Sequence, residues 1–184
     1  MKVLLTGSTG FVGSALARRL EASSCELVHV VRKRPDRADA GTGQWLERDL
    51  AADSDLLDGV RGLDAVIHCA ARVHRLQETT TDPLRAYRQV NVQASLNLAR
   101  QAADCGAKRF IFLSTIGVNG RYSGQPVRPE QDPHPEGAYA LSKYEAEQGL
   151  RVLAAASGLE LVICRPPLVY GPGAPGNFGR LLRL

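Results

Sequence analysis

The stretch Val3-Leu4-Leu5-Thr6-Gly7-Ser8-Thr9-Gly10-Phe11-Val12-Gly13 decides how this chain is read. Its apolar opening has the character of a short buried strand. Phe11–Glu21 follows with Val12, Leu16 and Leu20 at helical spacing. Between strand and helix the glycines stand as G-x-x-G-x-x-G. Gly7 permits a tight turn, Gly10 lets the backbone approach a pyrophosphate, and Gly13 lets helix and strand pack closely. The helix N-terminus offers N–H groups and partial positive charge to an anion. Glycines also fill ordinary turns, so the specific feature is the position of this triplet after a first strand and before a helix. The candidate dinucleotide cradle is Gly7, Thr9, Gly10, Phe11, Val12 and Gly13.

Outward from this loop, short apolar runs alternate with longer amphipathic segments. Strands are expected at Val3–Thr6, Glu26–Val31, Gly43–Glu47, Ala65–Cys69, Arg109–Leu113 and Leu159–Cys164. Most are continuously apolar, as in strands covered on both faces. One long helix is expected over Asp82–Asp104, with Asp82 as N-cap, Pro83 in the first helical position and Gly106 as its stop. Another is expected over Glu136–Ala156, ended by Gly158. Asn119–Glu136, rich in Gly, Pro and charge, reads as an exposed loop. Repeated strand–helix alternation with right-handed crossovers leads to an α/β fold, a Rossmann-type doubly wound parallel sheet in order 3-2-1-4-5-6. Its crevice opens between the first and fourth strands.

Composition narrows the function classes. The 184 residues hold 23 Lys+Arg against 19 Asp+Glu, with 44% hydrophobic and 23% charged residues, which excludes a mainly disordered chain. No apolar run approaches the ~20 residues of a membrane span. The apolar start is too short for a signal-peptide core, so a cytoplasmic protein without membrane partners is expected. Aromatic residues are only 5%, too few for a base-stacking platform, and the net charge of +4 does not demand a nucleic acid. Cys25, Cys69, Cys105 and Cys164 form no C-x-x-C pair. They read as buried free thiols, with no metal site.

The second strand ends Val30-Val31-Arg32-Lys33-Arg34. NAD users usually place an acid there for the ribose 2′-hydroxyl. Here Arg32 and Arg34 suit a 2′-phosphate, which favours NADP over NAD; the plainer alternative is a solvated basic loop. Asp49-Leu50 is either an adenine contact, with the carboxylate accepting from the amino group and Leu50 against the ring, or a turn. Ala70 and Ala71, after the fourth strand, are small enough for a cofactor to lie on the backbone, or are simply core.

Tyr139 and Lys143 stand four apart on the last predicted helix and so share a face. A tyrosine titrates near 10, so serving as a base near neutral pH costs about 4 kcal/mol. A neighbouring ammonium and a cationic nicotinamide both act to reduce it. Ser114-Thr115 follows the fifth strand at the ligand-binding edge of a parallel sheet. A hydroxyl there can hold a substrate oxygen, or cap a turn.

Taken together, Thr6–Gly13, Asp49-Leu50, His68-Cys69-Ala70-Ala71, Asn91-Val92, Phe112–Thr115, Tyr139-Ala-Leu-Ser-Lys143 and Arg165–Pro172 resemble the extended short-chain dehydrogenase/reductase family, in its nucleotide-sugar epimerase/dehydratase branch. The resemblance implies Tyr139 as general base, Lys143 on the nicotinamide ribose and Thr115 as the substrate hydroxyl, with Ser114 the alternative. It implies that Asn91 orients the central helix. Pro166 and Val169 would lie near the carboxamide, and Asn177 and Phe178 near the sugar diphosphate. Ile116-Gly117 replace the Asp-Glu of dehydratases, which argues against 4,6-dehydration. Val118-Asn119-Gly120 is similar to 4-epimerases and 4-keto reductases of UDP-N-acetylhexosamines; these motifs do not separate the two reactions. Leu168 stands where a substrate-contacting asparagine is frequent. Residues 1–171 are then the NAD(P)-binding domain and 172–184 the start of a substrate lobe that is largely missing. The implied partner is a UDP-hexose or UDP-N-acetylhexosamine, and the implied assembly a homodimer through the two long helices. A non-catalytic NAD(P)-binding module, or a truncated remnant, is the alternative.

Overall fold

The computed structural model describes residues 1–36, 42–53, 55–73, 81–120 and 126–174. Six strands form one parallel sheet in the order β3-β2-β1-β4-β5-β6. They are β1 (Lys2–Thr6), β2 (Glu26–Val31), β3 (Gln44–Glu47), β4 (Ala65–His68), β5 (Arg109–Leu113) and β6 (Glu160–Cys164). The order reverses between β1 and β4, where Thr6 pairs with His68, so the crevice opens at the tips of these two strands.

The two faces are covered by different elements, as right-handed crossovers require. Helix α1 (Phe11–Glu21) packs Leu16, Ala17 and Leu20 against Val3, Leu5 and Leu27. On the other face lie α3 (Ala94–Asp104) and α4 (Gly137–Ser157). Leu98, Ala102, Ala146 and Leu150 join Val66, Phe110 and Phe112 in the main core. The α3–α4 approach is close because residue 149 is glycine: a Cβ there would sit 2.8 Å from Leu96 Cδ2.

The long helix expected over Asp82–Asp104 is not a single α-helix. Asp82 caps it by accepting the Arg85 N–H at 3.0 Å, and Pro83 opens α2 (Pro83–Tyr87). A π-helical stretch, Arg88–Gln93, then joins α2 to α3. The wider turn faces Asn91 inward, where it is 1% exposed. Two other expectations are corrected. Cys164 is exposed and the other three cysteines are half-buried, all with free thiols. Asn119 is buried rather than part of an exposed loop, because a 3-10 turn over Ile116–Asn119 carries it inward.

Gly13 is the tightest point of the α1–β1 junction. A Cβ there would lie 2.0 Å from the Gly7 carbonyl oxygen. Gly13→Ala should destabilise the chain by about 3 kcal/mol, the upper range for overpacking. Gly106→Ala adds a methyl group in open space at φ +83°, so it should cost only the backbone strain of about 1 kcal/mol. Urea unfolding of the two variants checks the difference.

Candidate active site

Gly7 leaves β1 with φ +70°, and its carbonyl accepts the Gly10 N–H at 2.9 Å. Gly10 is the N-cap of α1, with no side-chain cap and no acidic residue in the first turn. The leading N–H groups of α1 are therefore suited to an external anion. Ser8 adds a buried hydroxyl that has no partner among the described residues. Thr9 and Gly10 are exposed, while Phe11 and Val12 are half-buried. A Cβ on Gly7 would lie 2.7 Å from the Ala70 nitrogen, so Gly7 and Ala70 meet backbone to backbone at the β1/β4 reversal, with Ala71 beside them. The chain after β6 returns to this loop: a Cβ on Gly171 would meet Phe11 at 3.9 Å.

Arg32, Lys33 and Arg34 are exposed beyond β2, and the Arg34 N–H donates to Glu47 Oε1 at 3.0 Å. Asp49 behaves as a turn residue: Oδ1 accepts the Ala51 N–H at 3.0 Å. Leu50 packs against the core.

Tyr139 lies in the first turn of α4 and meets Tyr87 edge-on, with centroids 6.1 Å apart. Lys143, one turn further on, is 1% exposed and places Nζ 3.9 Å from the centroid of Phe112. Thr115 is half-buried; its Oγ1 accepts the Gly117 N–H at 3.2 Å, which caps the 3-10 turn. That turn lies against α4, since a Cβ on Gly117 would be 3.5 Å from both Ala140 Cβ and Thr115 Oγ1. The elements bearing Thr115 and Tyr139 thus come together. Ser114 points elsewhere and donates its hydroxyl to the buried Glu147.

Glu147, another turn along α4, is wholly buried and also receives the Arg165 guanidinium through Nε and Nη2. Arg165 donates further to Asn119 Oδ1 at 3.2 Å. One carboxylate thus ties together the ends of β5 and β6 and α4. Beyond Arg165, the Pro166 carbonyl accepts the Ile116 N–H at 3.0 Å. Val169 is exposed, and Asn177 and Phe178 lie outside the described residues.

Asn91 brackets Arg72: Oδ1 accepts the Arg72 N–H at 2.8 Å, and Nδ2 donates to the Arg72 carbonyl at 3.1 Å. Nδ2 also reaches Ser142 Oγ at 3.0 Å. Sequence reasoning singled out neither Glu147 nor Arg165 as a polar anchor, nor His68, Ser95 and Ser142. Glu147 carried one usable signal: it stands four residues after Lys143 and so shares its buried face.

Residues 3–182 match the model of the NAD dependent epimerase/dehydratase family. The chain belongs to this family. It is 44% identical over 184 residues to a UDP-glucose 4-epimerase of Vibrio cholerae, covering 99% of this chain and 56% of that one. It is 31% identical to the N-acetyl-alpha-D-glucosaminyl-diphospho-ditrans,octacis-undecaprenol 4-epimerase of Escherichia coli O157:H7, over 98% of this chain and 53% of that one. The crystal structure of the Thermus thermophilus UDP-glucose 4-epimerase complexed with NAD superposes with a TM-score of 0.83 at 28% identity. It covers 95% of this chain and 58% of that one. The chain therefore spans little more than half the length of these relatives. No helix among the described residues is long and apolar enough to cross a membrane.

The site of this epimerase/dehydratase family member departs electrostatically from the sequence expectation. Burial, and secondarily Tyr87, raise the Tyr139 phenol above its ordinary value. The ammonium expected to draw it down lies over Phe112, so the protein alone keeps Tyr139 neutral. Burial brings the Lys143 ammonium down to about 7, against smaller opposing effects of Cys69 and Glu147. An unfolded lysine titrates near 10.4, so between these values the unfolded chain binds more protons. Lys143 should therefore make stability rise from pH 7 towards pH 10, with its penalty fully present below pH 7. Lys143→Met should flatten that rise; urea midpoints of both proteins across this range provide the check.

Proposed function

We propose that this chain carries the dinucleotide-binding and catalytic part of a UDP-sugar 4-epimerase. The observation that carries the proposal is the position of Tyr139 and Lys143 on α4, packed against the tip of β5 beside the β1/β4 reversal that holds the glycine loop. Relatives named as 4-epimerases, one with NAD bound, support the same reading.

The residues fit a nicotinamide dinucleotide. Gly7 and Ala70 leave no room for a side chain between them, Gly10 leaves the α1 N-terminus uncapped, and Ser8 offers a hydroxyl with no partner among the described residues. Gly7, Thr9, Gly10, Phe11, Val12 and Gly13 would take the pyrophosphate, and Lys143 and Asn91 would serve the ribose side. A nicotinamide held there would supply a reversible hydride acceptor for C4 of the sugar. Tyr139 takes the C4 hydroxyl proton in oxidation and restores it in reduction. Burial raises the phenol in the protein alone, so a cationic group beside it would favour the phenolate. Thr115 holds the reacting oxygen, its hydroxyl hydrogen being free of the Gly117 contact, where the oxygen accepts. Ser114 is spent on Glu147 and has a positioning role.

Within this reading, residues 1–171 are the dinucleotide domain and 172–184 open the substrate region, with a UDP-hexose or UDP-N-acetylhexosamine as substrate. Exposed Val152 on α4 supports a homodimer formed through α3 and α4, and free thiols suit the reducing cytoplasm.

Two outcomes test the proposal. Tyr139→Phe should abolish interconversion of UDP-glucose and UDP-galactose, or of their N-acetyl counterparts, in the protein bearing this chain, while leaving cofactor affinity within about twofold. Normal turnover in that variant would refute it. The exposed Arg32–Arg34 cluster favours a 2′-phosphate, so NADPH should bind more tightly than NADH in fluorescence titrations at fixed salt. Equal or reversed affinities would overturn the NADP preference.

A further inference from the structure

A line of buried hydrogen bonds runs beneath the site, and the proposed chemistry does not use it. Thr6 at the tip of β1 and His68 at the tip of β4 are fully buried, with Oγ1 2.6 Å from Nδ1. On the far side of the ring, His68 Nε2 lies 2.8 Å from Ser95 Oγ on α3. Counting hydrogens settles the tautomer. Ser95 has one hydroxyl hydrogen and donates it to the Asn91 carbonyl at 2.8 Å. Towards the ring Ser95 can then only accept, so Nε2 bears the proton. Nδ1 is left as acceptor, and Thr6 donates to it. The Thr6 oxygen in turn accepts the Ala70 N–H at 3.1 Å.

The line continues beyond Asn91. Its Nδ2 donates to Ser142 Oγ at 3.0 Å, and Ser142 donates to the Tyr139 carbonyl at 2.7 Å. Every donor points the same way, from Ala70 at the Gly7 contact to the backbone of Tyr139. A rigid ring with an acceptor at one edge and a donor at the other is what this span requires. Phe110 and Phe112 enclose it, with centroids 6.0 and 5.8 Å away.

We infer that His68 is a positioning residue: protonated on Nε2 alone, it sets the spacing between the Gly7–Ala70 turn and the helices that carry Asn91, Tyr139 and Lys143. This inference rests on the proposed reading that a nicotinamide dinucleotide lies across that turn. Among the described residues, the charged group acting on the ring is the Lys143 ammonium of α4. Burial, assisted by that ammonium, takes the ring down to about 3. A second proton would fall on Nδ1 and take away the acceptor of the Thr6 hydroxyl hydrogen.

Nitrogen NMR of the His68 ring in the unmodified chain should show Nε2–H and a bare Nδ1, unchanged between about pH 5 and pH 8. A ring protonated on Nδ1, or titrating in that range, overturns the inference. Ser95→Ala then tests the coupling, because Ser95 lies on the opposite side of the ring from the glycine loop. It should let the ring populate both tautomers and speed exchange of the distant Ala70 amide about tenfold. It should also weaken NADPH binding about fivefold to tenfold, the worth of one buried hydrogen bond. Thr6→Val, which removes the Ala70 acceptor while Ser95 still holds the proton on Nε2, should speed Ala70 exchange and weaken NADPH binding in the same way without changing the tautomer, and Thr6→Ser, which keeps the hydroxyl, should restore the normal values. A folded Ser95→Ala chain with unchanged Ala70 exchange refutes the relay. If Ser95→Ala does not fold, the ring measurement on the unmodified chain decides. Failure of the unmodified chain to bind NADPH or NADH would instead overturn the cofactor reading, while the ring and exchange measurements still judge the relay.

Discussion

The backbone of α1 can start where it does only because residue 13 lacks a side chain. The Gly13 α-carbon packs against the Gly7 carbonyl at a separation that no Cβ tolerates. This contact sets the first helix directly behind the first strand and aims its N-terminus at the sheet edge. It also brings Gly7 against Ala70, which joins the two strands on either side of the reversal. The crevice, the uncapped helix end and the buried Thr6–His68 contact all follow from that approach.

A second constraint lies on the opposite face of the sheet. Glu147 is a carboxylate held entirely out of water, which is costly unless every lone pair is used. Ser114 and the forked guanidinium of Arg165 use them. The anchor joins three elements that sequence separates widely, and each of its residues neighbours a residue of the site: Thr115 follows Ser114, Pro166 follows Arg165, and Lys143 lies one turn before Glu147. The buried network stabilises less than a well-packed apolar cluster would, but it fixes relative positions more strictly, and position is what hydride and proton transfer require.

The sheet order and the glycine loop were legible in the sequence because each rests on a local pattern: apolar runs, helical spacing, and glycines at a strand–helix junction. The Tyr139–Lys143 pair was legible for the same reason, as two residues on one helical face. The polar supports were not. His68 and Ser142 fall within the matched motifs with no polar role attached, Ser95 is an ordinary helix residue in sequence, and their contacts acquire meaning only when β1, β4, α3 and α4 meet. The raised Tyr139 pKa of the protein alone is not legible in the sequence, because spacing places Lys143 on the same face but says nothing of the Phe112 ring that takes its ammonium. The π-helical stretch was hidden because its residues are unremarkable helix formers; the widening reflects the bonds Asn91 makes to Arg72 and Ser142.

That widening has an evolutionary consequence. A π turn accommodates one residue more than an α turn, and each helical residue advances the chain by about 100°. The stretch therefore acts as a phase adjuster between two helical segments that obey different masters. Ala94–Asp104 follows the core, with Leu98 and Ala102 facing the sheet. Pro83–Tyr87 follows the site, with Tyr87 against Tyr139 and the adjoining Arg88 paired to Glu145. Loss of one residue between them would leave a smoother helix and an intact core, yet turn Tyr87 away from its partner by roughly a quarter of a revolution. Substitutions at the exposed positions of this helix leave its phase unchanged, whereas a change in its length does not.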